Sequence, residues 1–128
     1  MTNQPVPPIW GPTNPPLGDD PDGVRRMGSV FPLNPENETL YRRLHADAWP
    51  AVIEGLRGAG LRNYSLFIVE LAGQKYVIGY FEYVGDDFET SMKALDVDED
   101  TQRWLETLAP CGLPGIECSD MERVFYLP

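Results

Sequence analysis

Residues 63–84, Asn63-Tyr64-Ser65-Leu66-Phe67-Ile68-Val69-Glu70-Leu71-Ala72-Gly73-Gln74-Lys75-Tyr76-Val77-Ile78-Gly79-Tyr80-Phe81-Glu82-Tyr83-Val84, read as two β-strands around a tight turn. Asn63–Leu71 and Lys75–Val84 are dense in β-branched and aromatic side chains, which suit a pleated, half-buried surface. Ala72-Gly73-Gln74 is short enough to close a hairpin. In the first strand Tyr64, Leu66, Ile68 and Glu70 alternate with Ser65, Phe67, Val69 and Leu71, so the two sets point to opposite faces. Both sets are largely apolar. Such a sheet needs cover on both sides: helices on one, and on the other a second surface such as a partner subunit.

Upstream of the hairpin, Asn34-Pro35 opens a helix, because asparagine caps free amides and proline suits the first turn. Glu36 and Glu38 favour the positive end of its dipole. Leu40, Leu44, Ala48, Val52 and Leu56 form one row, and Tyr41, His45, Trp49 and Ile53 the next, until Gly58 and Gly60 end the pattern. Pro50 interrupts it; without an amide to donate to the Ala46 carbonyl, it predicts a kink one turn after His45. Arg25–Leu33 precedes the helix as a strand in which Gly28 and Pro32 suggest a bulge or an edge. Beyond the hairpin, Phe88–Leu95 and Asp98–Leu108 read as two short helical pieces. A loop over Ala109–Glu117 then leads to a last strand ending Arg123-Val124-Phe125-Tyr126-Leu127-Pro128. Strand, helix, strand, strand, helix, strand is an α+β, ferredoxin-like order (βαββαβ).

Residues 1–23 hold more than half of the 13 prolines and no lysine or arginine. Such a leader cannot bury enough apolar surface to offset its ordering entropy and is expected to be disordered. Residues 24–128 remain for one domain. A net charge of −10 makes nucleic acid and anionic membranes poor partners and leaves a neutral or cationic ligand. No apolar run is long enough to span a membrane, and the N-terminus lacks the pattern of a signal peptide, so a cytoplasmic protein is expected. Cys111 and Cys118 match no zinc or redox spacing and read as two free thiols.

No phosphate loop, dinucleotide fingerprint, nucleophile elbow or zinc-protease motif occurs. The acidic run Asp96-Val97-Asp98-Glu99-Asp100 lacks the spacing of a calcium loop and reads as a helix start. What stands out is the only histidine, His45, in Tyr41-Arg42-Arg43-Leu44-His45-Ala46-Asp47-Ala48-Trp49-Pro50. Tyr41, His45 and Trp49 are each four residues apart and share one helical ridge. An imidazole between aromatic rings suits either a packed core or a proton-transfer site on a sugar.

Arg25–Pro128 resembles the L-rhamnose mutarotase family. The resemblance rests on Asn34-Pro35, Tyr41-Arg42-Arg43-Leu44-His45, Trp49-Pro50, Asn63-Tyr64, Gln102-Arg103-Trp104 and Val124-Phe125-Tyr126-Leu127-Pro128. It implies a homodimeric α/β barrel made by packing two exposed sheet faces. It also implies a cofactor-independent, metal-free isomerase that interconverts the α and β anomers of L-rhamnose or a related 6-deoxy-hexopyranose. By position, His45 matches the family's proton donor, and Tyr41, Tyr64 and Trp104 its sugar-binding aromatics. The chemistry suits these groups: an imidazole ordinarily titrates near neutrality, and positioned proton transfer is worth about 10²–10⁴ in rate. Tyr41, Asp47 and a water remain open as the base.

Two departures bear on specificity. The family usually has paired tryptophans where this chain has Trp104-Leu105, and a following Asp-Asn where it has Leu113-Pro114. Both changes make the expected sugar pocket less polar or less stacked. They also keep a competing expectation in play, a non-catalytic small-ligand or regulatory dimer on the same fold.

Overall fold

The computed structural model describes residues 19–128. The hairpin forms as read, between β2 (Leu61–Leu71) and β3 (Gln74–Tyr83). Its loop is only two residues long: Ala72 and Gly73 both take positive φ, 52° and 80°, and Leu71 pairs with Gln74. That left-handed pair matches the twist of the flanking strands. At the other end of β2 a register shift between Arg62 and Ser65, with Asn63 at φ 51°, makes a bulge that contains Asn63 and Tyr64.

β3 also pairs with β1 (Arg25–Pro32), and β1 with a short β4 (Ser119–Met121), giving an antiparallel sheet of order β2-β3-β1-β4. The ferredoxin-like expectation therefore stands. β1 is an inner strand, however, and not the edge that Gly28 and Pro32 suggested. Gly28 lies opposite Met121 of β4, whose side chain crosses the space a Cβ would take. Pro32 is the last residue of β1, where its missing amide costs the ladder least.

The expected kinked helix is two helices. Asn34 caps a 3₁₀ turn, Pro35–Asn37, by accepting from the Glu36 amide; α1 (Glu38–Ala46) follows, then a break, then α2 (Pro50–Gly58). Proline forces the residue before it out of helical geometry, and Trp49 is extended at φ −62°, ψ 130°. Pro50 thus starts a helix and does not merely bend one. α3 (Phe88–Asp96) and α4 (Glu99–Leu108) form where expected. The acidic run is a helix start, since Asp98 accepts from the Thr101 amide and hydroxyl. A 3₁₀ turn, Ala109–Cys111, ends α4.

Leu33, Tyr41, Val77 and Cys111 make the buried centre between helices and sheet, with Phe31, Leu40, Ile68 and Leu108 packed around them. Because Val77 faces this core, alternation turns Ile78 and its cross-strand neighbour Phe67 to the other face. That face is open: Phe67 is 58% exposed, and Leu71 and Met121 are exposed with it.

Two readings at the chain ends need revision. The last strand was expected to run to Pro128, but it stops at Met121, and residues 122–128 join no strand. Arg123 instead donates through Nη1 and Nη2 to both oxygens of Asp20, which also accepts from Arg26 Nη1 at 2.8 Å. The side chain of Asp20 is 1% exposed, and the Arg26 and Arg123 guanidiniums both lie over the Tyr126 ring. Past Met121 this cluster, and not pairing to β1, holds the chain. Asp20 also shows that the end of the proposed leader, residues 19–23, is a turn held on the body; residues 1–18 lie outside the described residues.

Candidate functional site

α1 carries the centre of the site. Glu38 fastens its first turn, accepting from Lys75 Nζ on β3 at 3.0 Å and from Arg42 Nε at 3.0 Å. One turn on, Tyr41 is buried, 5% exposed, with its ring edge-on to Phe31 of β1 at 6.0 Å. His45 follows at the next turn and is half-buried. Its ring is tilted against Tyr41 at 4.2 Å and meets Trp104 of α4 in a T-shaped contact at 5.3 Å.

The His45 ring is tied back to its own helix. Nδ1 lies 2.8 Å from the Tyr41 carbonyl oxygen. A carbonyl only accepts, so Nδ1 carries the proton and donates it there. Nε2 hydrogen-bonds to none of the described residues and is the nitrogen left for chemistry: it accepts when the ring is neutral and donates when it is charged.

Three of the four expected site residues, Tyr41, His45 and Trp104, are therefore in ring contact. Tyr64 stands in the β2 bulge in a second aromatic group, with its ring 5.5 Å from Phe81, which stacks on Phe88. The Tyr41 and Tyr64 phenols are both raised above the ordinary tyrosine range. Burial, then the neighbouring Tyr64 phenol, push the Tyr41 hydroxyl well above the ordinary tyrosine range. Although Tyr64 is 47% exposed, loss of water around its hydroxyl raises it too, with Cys118 as the second cause. Both phenols stay protonated at neutral pH and offer neutral hydrogen bonds. Of the three candidate bases this disfavours Tyr41, leaving Asp47, exposed at the C-cap of α1, and water.

Sequence reading left two neighbours aside. Trp49 packs on Trp104 at 5.0 Å, and its four-residue spacing from His45 was the available signal. Cys118, in the loop before β4, is the lesser cause of the raised Tyr64 phenol, after burial, and nothing in its spacing announced that. The two departures fall at the margin: Leu105 is exposed beside Trp104, and Leu113-Pro114 line a separate open groove of about 590 Å³ with Asn34, Asn37, Pro110 and Glu117. None of the four expected site residues lines that groove. Among the described residues no group of three or more His, Cys, Asp or Glu side chains is placed to hold a metal, and no helix is long and apolar enough to cross a membrane.

Comparison with known proteins places the chain in a family. Similar proteins include the L-rhamnose mutarotases of Bacillus subtilis (strain 168), 28% identical over 81% of this chain and 99% of that protein, and of Listeria monocytogenes serovar 1/2a, 29% identical over the same shares. In fold the chain resembles the crystal structure of an L-rhamnose mutarotase from Formosa agariphila, with a TM-score of 0.64 and 23% identity over 81% of this chain and 99% of that one. It also resembles a NIPSNAP family protein from Agrobacterium tumefaciens, with a TM-score of 0.56 and 16% identity over 78% and 84% of the two chains. The family model for L-rhamnose mutarotase matches residues 26–127, nearly the whole of the described domain, and the chain belongs to that family.

Proposed function

We propose that the protein is a cofactor-independent mutarotase, interconverting the α and β anomers of L-rhamnose or a related 6-deoxy-hexopyranose. The observation that carries this reading is the His45 ring, anchored through Nδ1 on the Tyr41 carbonyl and flanked by the Tyr41 and Trp104 rings, with Nε2 left for proton transfer. In the charged form Nε2 gives its proton to the ring oxygen as the bond from C1 to that oxygen breaks. The anomeric hydroxyl loses its proton to water or Asp47, and an open-chain aldehyde results. Rotation about C1–C2 presents the other face of the carbonyl, and the reverse transfers close the ring. Aromatic faces of Tyr41, Tyr64 and Trp104 suit the C–H surface of the sugar, and the two protonated phenols suit its hydroxyls.

The same reading includes a cytoplasmic homodimer. The open sheet face with Phe67, Leu71 and Met121, together with exposed Val124, Phe125 and Leu127, supports a second copy as its cover. Free thiols at Cys111 and Cys118 fit a reducing compartment. The decisive experiment is saturation-transfer NMR between the anomeric signals of L-rhamnose, with the wild-type protein and His45→Ala. Exchange that depends on His45 supports the mechanism. Undiminished exchange in the variant rejects it, and no exchange with any 6-deoxy-hexose transfers the protein to the binding-module reading.

A further inference from the structure

We infer that Trp49 is a positioning residue for the site: it holds the Trp104 indole at the angle that faces His45, and Pro50 is what puts Trp49 there. The inference deepens the mutarotase reading and rests on it for its kinetic arm only. Four rings run in series, Tyr41 to His45 at 4.2 Å, His45 to Trp104 at 5.3 Å, and Trp104 to Trp49 at 5.0 Å. The last two contacts are both edge-on, with interplanar angles of 72° and 75°. Trp104 is thus clasped between the imidazole and a second indole that has no contact of this kind with His45.

Among the described residues the Trp104 indole N–H donates to none, so within them packing sets the ring's orientation, and an edge-to-face pair has a preferred geometry as well as an apolar area. On an unbroken helix Trp49 would stand one turn beyond His45, on the same ridge. The break changes that. Trp49 is extended before Pro50, its carbonyl accepts the amides of Val52 and Ile53, and α2 then packs on α4. The residue that restricts Trp49 and the indole that Trp49 supports are therefore coupled through one backbone geometry.

The test uses Trp49→Ala, Trp49→Phe and Pro50→Ala in the full chain, with two readouts. In ligand-free protein, the His45 ring-proton and Trp104 indole N–H resonances report ring orientation. They are expected to move in Trp49→Ala and to return most of the way in Trp49→Phe, while the remaining amide spectrum stays that of a folded protein. In anomer-exchange kinetics, Trp49→Ala is expected to raise KM about 3- to 10-fold, the scale of one aromatic pair, with kcat and its pH profile little changed. Pro50→Ala is expected to shift the same resonances by less. Unmoved His45 and Trp104 resonances in folded Trp49→Ala overturn the inference. So does a kcat loss with no KM change, or a Trp49→Phe variant as impaired as Trp49→Ala. If the wild type exchanges no deoxy-sugar, the mutarotase reading falls while the resonances still decide the coupling of Trp49 to Trp104.

Discussion

Nδ1 of His45 donates to the carbonyl oxygen of Tyr41 across 2.8 Å, so the catalytic candidate is oriented by the backbone of the helix that carries it. The first prediction follows from the tautomer. When His45 is neutral, long-range ¹⁵N–¹H spectra should show the proton on Nδ1 and none on Nε2. A neutral ring protonated at Nε2 would break the assignment of that atom to proton transfer. His45→Ala should cost about 10²–10⁴ in exchange rate, the usual worth of a positioned acid or base.

Tyr41 separates a structural from a chemical contribution. Its hydroxyl bonds to none of the described residues, whereas its ring fills core space beside Phe31, Leu33 and Val77. Tyr41→Phe should leave the denaturation midpoint nearly unchanged and weaken sugar binding by the loss of one hydrogen bond, roughly 0.5–1.5 kcal/mol, or about 2- to 12-fold in KM. Tyr41→Ala opens a cavity and should destabilise the protein by about 3–5 kcal/mol in urea titration. A Phe variant as unstable as the Ala variant would mean that the hydroxyl has a structural partner after all.

Much of this was readable from the chain, and where it was not the reason is specific. The hairpin and helix starts are local: alternation, a glycine turn and capping side chains act within a few residues, and Asn34 and Asp98 cap as their positions imply. The Tyr41–His45 ridge is equally local. Pro50 marks a disruption in the pattern, but spacing alone does not tell a bend from a new start; the extended Trp49 before it makes Pro50 the first residue of a second helix. The early end of β4 depends on Asp20, 103 residues before Arg123, and no periodicity carries a pairing of that separation.

Asp20 gives a pH prediction. Hydrogen bonds from Arg123, and then the one from Arg26, hold its carboxyl below the usual carboxylate range against the opposing effect of burial. A depressed folded pKa means that the bonds stabilise the fold fully above the unfolded value, about 3.9, and that the contribution disappears as pH falls through the folded value. Asp20→Asn should therefore cost about 2–3 kcal/mol at pH 7, less than a fully buried pair because the two arginines are 19% and 25% exposed and regain water. As pH falls below the unfolded value the difference between the variant and the wild type should shrink, and it should vanish only below the depressed folded value. Carboxypeptidase should also trim the variant's last residues faster at pH 7, since Tyr126 loses the framework that orders both guanidiniums. Equal trimming would show that the cluster does not restrain the tail.

Phe67 tests the assembly. It lies across from Ile78 on the sheet face turned away from the helices, and its ring is 58% exposed, whereas Ile68 on the opposite face packs against the core. Phe67→Glu leaves the core untouched, so the monomer should unfold within about 0.5 kcal/mol of the wild-type subunit. At a dimer centre the same change loses an aromatic anchor worth about 2 kcal/mol or more and desolvates a carboxylate opposite its own symmetry mate, so the dissociation constant should rise at least about 100-fold. Sedimentation velocity across a concentration series measures this directly. A wild type that is monomeric throughout, or a Phe67→Glu variant that assembles as tightly as the wild type, would leave the open face without its proposed cover.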